Sequence, residues 1–181
     1  MTKKTSRRQD LAADIAALLL RDGVAILPLR DLAARLGTSD RMLLYYFGNQ
    51  ADLVEASLAH LSAILAARLE RALPPVRLPS AALARKLTHA MQKPDIAPIL
   101  KVWADVAARG ARGEEPFAKF ALRAVETWLE WIGARLAVSD HGRREKEAAA
   151  ILVAIEGARM LELFAPGVSG KALPLLFRSF D

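Results

Sequence analysis

The sequence predicts an all-α protein, and three observations support this. Alanine and leucine dominate the 181 residues while β-branched residues are sparse, a composition that favours helices over strands. Apolar residues recur three and four positions apart, which is the spacing of one helix face. The single Asp-Gly pair, Asp22-Gly23, falls between two helical patterns, so no hairpin signal joins alternating runs.

Composition narrows the class of protein further. Hydrophobic residues make up 53% of the chain, enough for a sizeable core in one or two domains. The absence of cysteine excludes disulfides, thiol nucleophiles and thiolate metal sites. The longest apolar run, residues 148–155, falls short of the roughly 18 residues of a membrane span, and the N-terminus lacks a signal-peptide core. We therefore expect a soluble, cytoplasmic protein that does not bind membranes.

Two short helical patterns hinged at Gly37 have the form of a helix-turn-helix. Leu29, Leu32 and Leu36 follow helical spacing, Gly37 can adopt the left-handed backbone of a tight turn, and Ser39 can cap the next helix. In that second helix Leu43 and Phe47 lie four apart for packing. The remaining side chains are left to face a partner: Asp40, Arg41, Met42, Tyr45 and Tyr46.

Helical patterns surround this motif. A first helix begins with the capping-box pair Ser6 and Gln9 and ends at Gly23. A fourth, capped by Asn49, runs to about Leu73, where a proline cluster stops it and a second, larger helical unit begins. We expect five helices there, at 80–92, 95–109, 117–136, 145–164 and 171–180, with Pro174 in the first turn of the last or kinking it.

Positive charge concentrates near the N-terminus. The net charge is +6, and residues 1–50 carry eight Lys or Arg against five Asp. Four of the cations form a basic arm ahead of the first helix: Lys3, Lys4, Arg7 and Arg8. Such an arm is either a solubilising tail or a set of phosphate contacts, and its place beside a helix-turn-helix favours phosphate.

Residues 36–53, from Leu36-Gly-Thr-Ser through Leu44-Tyr-Tyr-Phe to Asp52-Leu, resemble the signature of TetR-type transcriptional regulators. The match is specific over residues 6–55 and architectural beyond. It implies a DNA-binding domain at 1–49, joined through the fourth helix to an effector-binding and dimerisation domain at 50–181. It also implies recognition of a double-stranded operator by a helix in the major groove.

The resemblance, together with the basic arm, assigns DNA contacts residue by residue. They are Lys3, Lys4, Arg7, Arg8, Arg30, Thr38, Ser39, Arg41, Met42, Leu44, Tyr45, Tyr46 and Gln50. Arg41 can donate two hydrogen bonds to a guanine base, and Met42 can contact a thymine methyl group. Asp40 suits a structural role at the N-terminus of the helix. Pro28, Leu44 and Gln50 depart from the family pattern and each removes a phosphate contact, so the basic arm should carry more of the electrostatics.

The resemblance places a small-molecule effector in the second domain. Six apolar side chains could line its pocket: Met91, Trp103, Phe117, Phe120, Trp128 and Trp131. An aromatic stripe at helical spacing is more often plain core. The polar candidates are His89 and Asp105.

A homodimer is expected through residues 145–164 and 171–180, the last two long helices of the family's four-helix bundle. The apolar and small residues Ala148, Ile151, Leu152, Ile155 and Ala158 would pack against a symmetry mate, with Gly157 and Ala158 at the crossing. The alternative is packing within one chain.

Catalysis is not expected, because His60, His89 and His141 lack metal-ligand spacing and no nucleophile elbow or Gly-rich loop occurs. We therefore expect no metal and no cofactor. The favoured function is a dimeric repressor released by a small apolar or aromatic effector. A small-molecule-binding or protein-interaction dimer without operator binding is the alternative.

Overall fold

Nine α-helices and one short 3-10 helix, Val24–Ile26, account for most of residues 3–178, the part of the chain that this computed structural model describes. The helices are α1 Lys3–Asp22, α2 Leu29–Arg35, α3 Asp40–Phe47, α4 Gln50–Ala72, α5 Ser80–Met91, α6 Ala97–Ala111, α7 Phe117–Ala134, α8 His141–Glu162 and α9 Val168–Arg178. The only extended pairing in that range is an isolated bridge between Leu78 and Leu136. The all-α prediction is confirmed.

The helices gather into two compact units. The first runs to Arg68 and also includes Pro94–Ala121, and the second includes Leu69–Lys93 and the chain from Leu122 onwards. Both α4 and α7 are continuous helices that contribute residues to each unit. These two units are defined by how compactly the chain packs, and their bounds differ from those of the predicted functional domains. The boundary between a DNA-binding domain and an effector-binding domain at residues 49 and 50 stays a prediction.

The first unit is built on a leucine-rich core. Ile15 and Leu19 of α1 and Leu32 of α2 have no exposed surface, nor do Leu43 of α3 and Leu53 of α4. They form one cluster with side chains of α6 and the start of α7. Because these positions recur at helical spacing, each helix turns a single apolar face inward. This core fixes α3 by its inner face.

In the second unit α5, α8 and α9 pack on one another. Ala148, Ile151 and Ile155 of α8 are 2%, 0% and 3% exposed within the single chain, whereas Leu152 and Ala158 are half-buried. The prediction that this stripe packs against a symmetry mate was therefore wrong for the three buried residues. Helical spacing shows that a face is buried, but not whether the same chain or another covers it.

Three helices, α1, α8 and α9, begin earlier than predicted. Nothing in Lys3–Thr5 breaks a helix, so α1 starts at Lys3 and Ser6 lies inside it instead of capping it. Lys4, Arg7 and Arg8 are consequently part of α1, not an arm ahead of it. Helix α8 starts at His141 because Asp140 Oδ1 accepts a hydrogen bond from the Arg143 amide at 2.6 Å.

One carboxylate caps the start of the last helix. Glu162 accepts hydrogen bonds from the Ser169 hydroxyl, the Gly167 amide and the Ser169 amide, both amides at 2.9 Å, and these bonds lower the pKa of Glu162. Pro174 lies in the second turn of α9, not the first. Phe180, predicted to close this helix, lies outside the described residues. No helix within residues 3–178 is long and apolar enough to cross a membrane.

Candidate nucleic-acid interface

The turn between α2 and α3 forms as the sequence predicts. Gly37 has φ of 61°, the left-handed conformation that glycine adopts without strain. The Thr38 amide donates to the Ala33 carbonyl at 2.9 Å, which closes the end of α2. Ser39 is extended, and its Oγ accepts a hydrogen bond from the Met42 amide at 3.3 Å. The hydroxyl hydrogen of Ser39 remains able to donate to an anion.

Helix α3 has one buried face and one exposed face. Leu43 is 0% and Phe47 4% exposed, whereas Met42 is 41% and Tyr45 58% exposed. Arg41 and Leu44 are exposed as well, and Thr38 and Tyr46 are half-buried. The outward side chains therefore include one cation, two apolar groups and two phenol rings. That mixture can donate hydrogen bonds to base edges and phosphates and make apolar contact with thymine methyl groups.

The start of α2 carries no hydroxyl cap. Pro28 occupies the N-cap position with no side-chain hydrogen bond, and Arg30 lies exposed in the first turn. Gln50, one of the predicted DNA contacts, donates from Nε2 to the Leu27 carbonyl at 3.1 Å. This bond ties the start of α4 to the segment before α2. Sequence reasoning missed it because the two residues are 23 positions apart.

Two arginines of the first unit are neutralised locally. Asp22 pairs with Arg21 at 2.8 Å and with Arg35 at 3.0 Å. The hydrogen bond from Arg21 is the main cause that lowers the pKa of Asp22, and the charge of Arg35 acts in the same direction. By contrast, no described residue forms an ion pair with Arg7, Arg30 or Arg41 within the salt-bridge distance. Those three are the arginines of this unit best placed to meet an external anion.

The first turns of α1 lie against aromatic rings of α3. Lys4 Nζ is 4.4 Å from the centroid of the Tyr45 ring, and the Arg8 guanidinium carbon is 5.2 Å from that of Phe47. A shallow cavity of about 530 Å³ lies between the helices, lined by Lys4, Ser6, Arg7, Asp10, Tyr45 and Tyr46. The side chain of Lys3 lies outside the described residues. The basic cluster of α1 is thus part of the same surface as α3.

The six candidate effector residues divide between the units. Trp103, Phe117 and Phe120 belong to the first unit. Phe117 and Phe120 are buried in its core, and Trp103 stacks on Phe120 with ring centroids 5.6 Å apart. His89 and Asp105 are exposed.

Met91, Trp128 and Trp131, all half-buried, belong to the second unit. The two tryptophans meet edge to face with centroids 5.4 Å apart. Trp131 Nε1 donates to Glu70 at 3.2 Å, and Arg135, which also pairs with Glu70, lies 3.7 Å above the Trp131 ring. Partial burial lowers the pKa of Arg135. These contacts join α7 to the last turns of α4.

Among residues 3–178 no group of three or more His, Asp or Glu side chains could hold a metal ion. No protein-family model matches the sequence, and no curated protein matches it significantly.

Several solved structures share the fold over nearly the whole chain. A transcriptional regulator from Rhodococcus sp. Rha1 is 21% identical with a TM-score of 0.72, covering 99% of this chain and 96% of its own. The TetR-family transcriptional regulator from Cytophaga hutchinsonii is 14% identical with a TM-score of 0.72 and the same coverage. The multidrug binding protein EbrR, complexed with imidazole, is 21% identical with a TM-score of 0.71, covering 98% of this chain and 93% of its own. The resemblance seen in residues 6–55 thus extends to the whole architecture, and the chain has the fold of TetR-family transcriptional regulators.

Proposed function

We propose that this protein is a transcriptional regulator that binds a palindromic DNA operator as a homodimer. The observation that carries the proposal is the outward face of α3, where Arg41, Met42 and Tyr45 are exposed while Leu43 and Phe47 anchor the helix. An exposed helix held rigidly from behind, with a capped N-terminus, is what major-groove reading requires. The fold shared with known regulators supports the same conclusion.

Each outward side chain has a matching DNA group. Arg41 can donate two hydrogen bonds to guanine O6 and N7, and Met42 can contact a thymine methyl group. The Ser39 hydroxyl, with the amides of the first turn, suits a backbone phosphate. Arg7 and Arg30 add cationic contacts to the sugar-phosphate backbone, which fix position without reading sequence.

Selection from random duplex DNA with the purified full-length chain tests the function. Enrichment of two inverted half-sites, about one helical turn or a multiple of it apart, is expected of a two-fold symmetric protein. Enrichment of no sequence at low ionic strength would contradict operator binding. That result would favour the alternative, a helical ligand-binding dimer that does not bind DNA. Two features are compatible with this alternative: Pro28 offers no hydroxyl group to a phosphate, and Gln50 forms a hydrogen bond within the protein.

Replacing Arg41 by alanine should relax preference at one base pair. Loss of a bidentate guanine contact costs about 1–3 kcal/mol at that position and little on sequences that lack the guanine. Titration of the selected operator and its single-base variants measures this. Arg35→Ala is the matched control, because Arg35 is paired with Asp22. An equal loss on every sequence would make Arg41 a phosphate contact.

The basic cluster of α1 should set the salt dependence. Neutralising Lys3, Lys4, Arg7 and Arg8 removes phosphate contacts, each of which contributes about 0.9 to the slope of log affinity against log salt concentration. We expect the slope to fall by at least about one. The control neutralises four exposed cations of the second unit, Arg85, Lys86, Lys146 and Lys171. If the two variants keep the same slope, the cluster is a solubilising tail.

We further propose that a small apolar or aromatic effector releases the repressor from DNA. The contacts of Trp131 and Arg135 with Glu70 offer a route for this release, because a molecule that displaced the Trp131 ring would loosen α7 from α4. Helix α4 continues into the first unit. Its movement would therefore change the distance between the α3 helices, the proposed recognition helices, of the two subunits. EbrR, which has this fold, is a multidrug binding protein. The coupling is reciprocal, so operator DNA weakens effector binding by the same factor.

A further inference from the structure

Tyr45 carries the most exposed aromatic ring of α3, at 58%, yet two neighbours contact it. The edge-to-face contact with Tyr46, with centroids 5.1 Å apart, supports one side. The ammonium group of Lys4 lies over the ring face at 4.4 Å from the centroid, within the range of a cation–π attraction. An exposed tyrosine without such neighbours would exchange rotamers freely.

Lys4 is brought to this ring by the packing of α1. Lys4 and Arg8 are four residues apart and therefore lie on the same face of the helix. Arg8 lies over Phe47, which is buried in the core of the first unit. Leu11 and Ile15, buried in the same core, fix the register of the first turns of α1 against α3, and this register leaves Lys4 above Tyr45.

We infer that Lys4 is a positioning residue that holds the Tyr45 ring in one orientation on the DNA-facing side of α3, and thereby influences which base pair the protein prefers. The inference rests on the proposed function, since it concerns how the same surface reads DNA. It assigns Lys4 a role beyond the phosphate contact expected of a basic terminus. A phosphate contact alone changes affinity equally for all sequences, whereas a group that orients Tyr45 changes selectivity at one position.

A double-mutant cycle separates the two roles. Lys4→Gln, Tyr45→Leu and the double variant are titrated against the selected operator and against the base change to which Tyr45→Leu is most sensitive. We expect Lys4→Gln to reduce selectivity about two- to fivefold, the range of an exposed cation–π contact, and to have no effect on selectivity in the Tyr45→Leu background. Lys4→Arg should retain selectivity. An equal effect of Lys4→Gln in both backgrounds would overturn the inference.

A second measurement needs no DNA. In the free protein, the ring resonances of Tyr45 should move toward those of an averaged, unrestrained tyrosine in Lys4→Gln. They should stay unchanged in Arg85→Gln, which removes the same charge from an exposed site in the second unit. Unchanged Tyr45 resonances in Lys4→Gln would refute the positioning role even if DNA binding is intact. Failure of every duplex to bind would refute the proposed function, while the ring measurement would still decide whether Lys4 holds Tyr45.

Discussion

Phe47→Ala should strongly destabilise the first unit and abolish DNA binding with it. The Phe47 side chain is 4% exposed and belongs to the cluster that joins α1, α2, α3 and α4. Removing a buried phenyl ring costs about 3–5 kcal/mol through lost apolar burial and the remaining cavity. That is a large part of the roughly 5–15 kcal/mol that stabilises a typical native protein. Urea denaturation followed by circular dichroism measures the loss.

Tyr45→Ala provides the comparison on the same helix. Tyr45 is 58% exposed, so this substitution should change the free energy of unfolding by only about 0.5 kcal/mol while it reduces operator affinity. The pair distinguishes a residue that holds α3 in place from one that faces the DNA. Equal stability of the two variants would show that Phe47 is not the anchor of the recognition helix.

The helix-turn-helix could be predicted from sequence because its determinants are local. Gly37 supplies the positive φ, and Ser39 and Met42, three residues apart, complete the cap. The spacing of Leu43 and Phe47 gives the buried face directly. Each signal acts within a few residues, so it can be recognised in the sequence without knowledge of the tertiary packing.

Contacts between distant segments could not be predicted in this way. The Lys4–Tyr45 and Gln50–Leu27 contacts each join residues far apart in the chain. Which side chains meet depends on how α1, α3 and α4 pack, and periodicity does not encode it. From the sequence, the positive charge of the N-terminal residues predicts phosphate contacts. It does not predict that Lys4 and Arg8 lie over the rings of Tyr45 and Phe47.

Helix α8 shows a different limit of prediction from sequence: an apolar face does not reveal which surface covers it. Its strongest apolar stripe, which includes Ile151 and Ile155, proved to be the internal face. A second stripe, formed by Val153, Gly157 and Met160 and continued by Phe164 just after the helix, at spacings of three and four residues, is exposed. Both stripes read as apolar in sequence, and only the fold shows which of them the chain covers itself.

The exposed stripe is the surface that we expect to form the dimer. Val153 is 72%, Met160 63% and Phe164 78% exposed. On α9, Leu175 and Leu176 are 65% and 50% exposed. Solvent-exposed apolar side chains concentrated on two adjacent helices and the residues just after α8 are typical of an interaction surface. Apart from the local backbone of α8, nothing lies within 4 Å of a Cβ placed at Gly157, so a partner helix could approach closely there. A two-fold partner would use the same surface.

Val153→Glu combined with Met160→Glu should convert the protein into a monomer. Burying two unpaired carboxylates from each subunit in an apolar interface should cost at least about 3 kcal/mol, which raises the dimer dissociation constant by more than about a hundredfold. Affinity for the palindromic operator should fall with it, because each recognition helix then binds a half-site alone. Sedimentation equilibrium at micromolar concentration measures the mass, and circular dichroism verifies that the helices persist.

Val76→Glu is the matched control, since Val76 is 59% exposed and lies in the loop between α4 and α5. It adds one negative charge per chain at a similarly exposed valine outside α8 and α9, so the dimer should remain. A wild-type chain that sediments as a monomer, or a doubly substituted chain that stays dimeric, would contradict the assignment. The second result would show that the dimer interface lies elsewhere than on α8. It would not affect the proposal that α3 binds DNA, because the residues that anchor α3 belong to the core of the first unit.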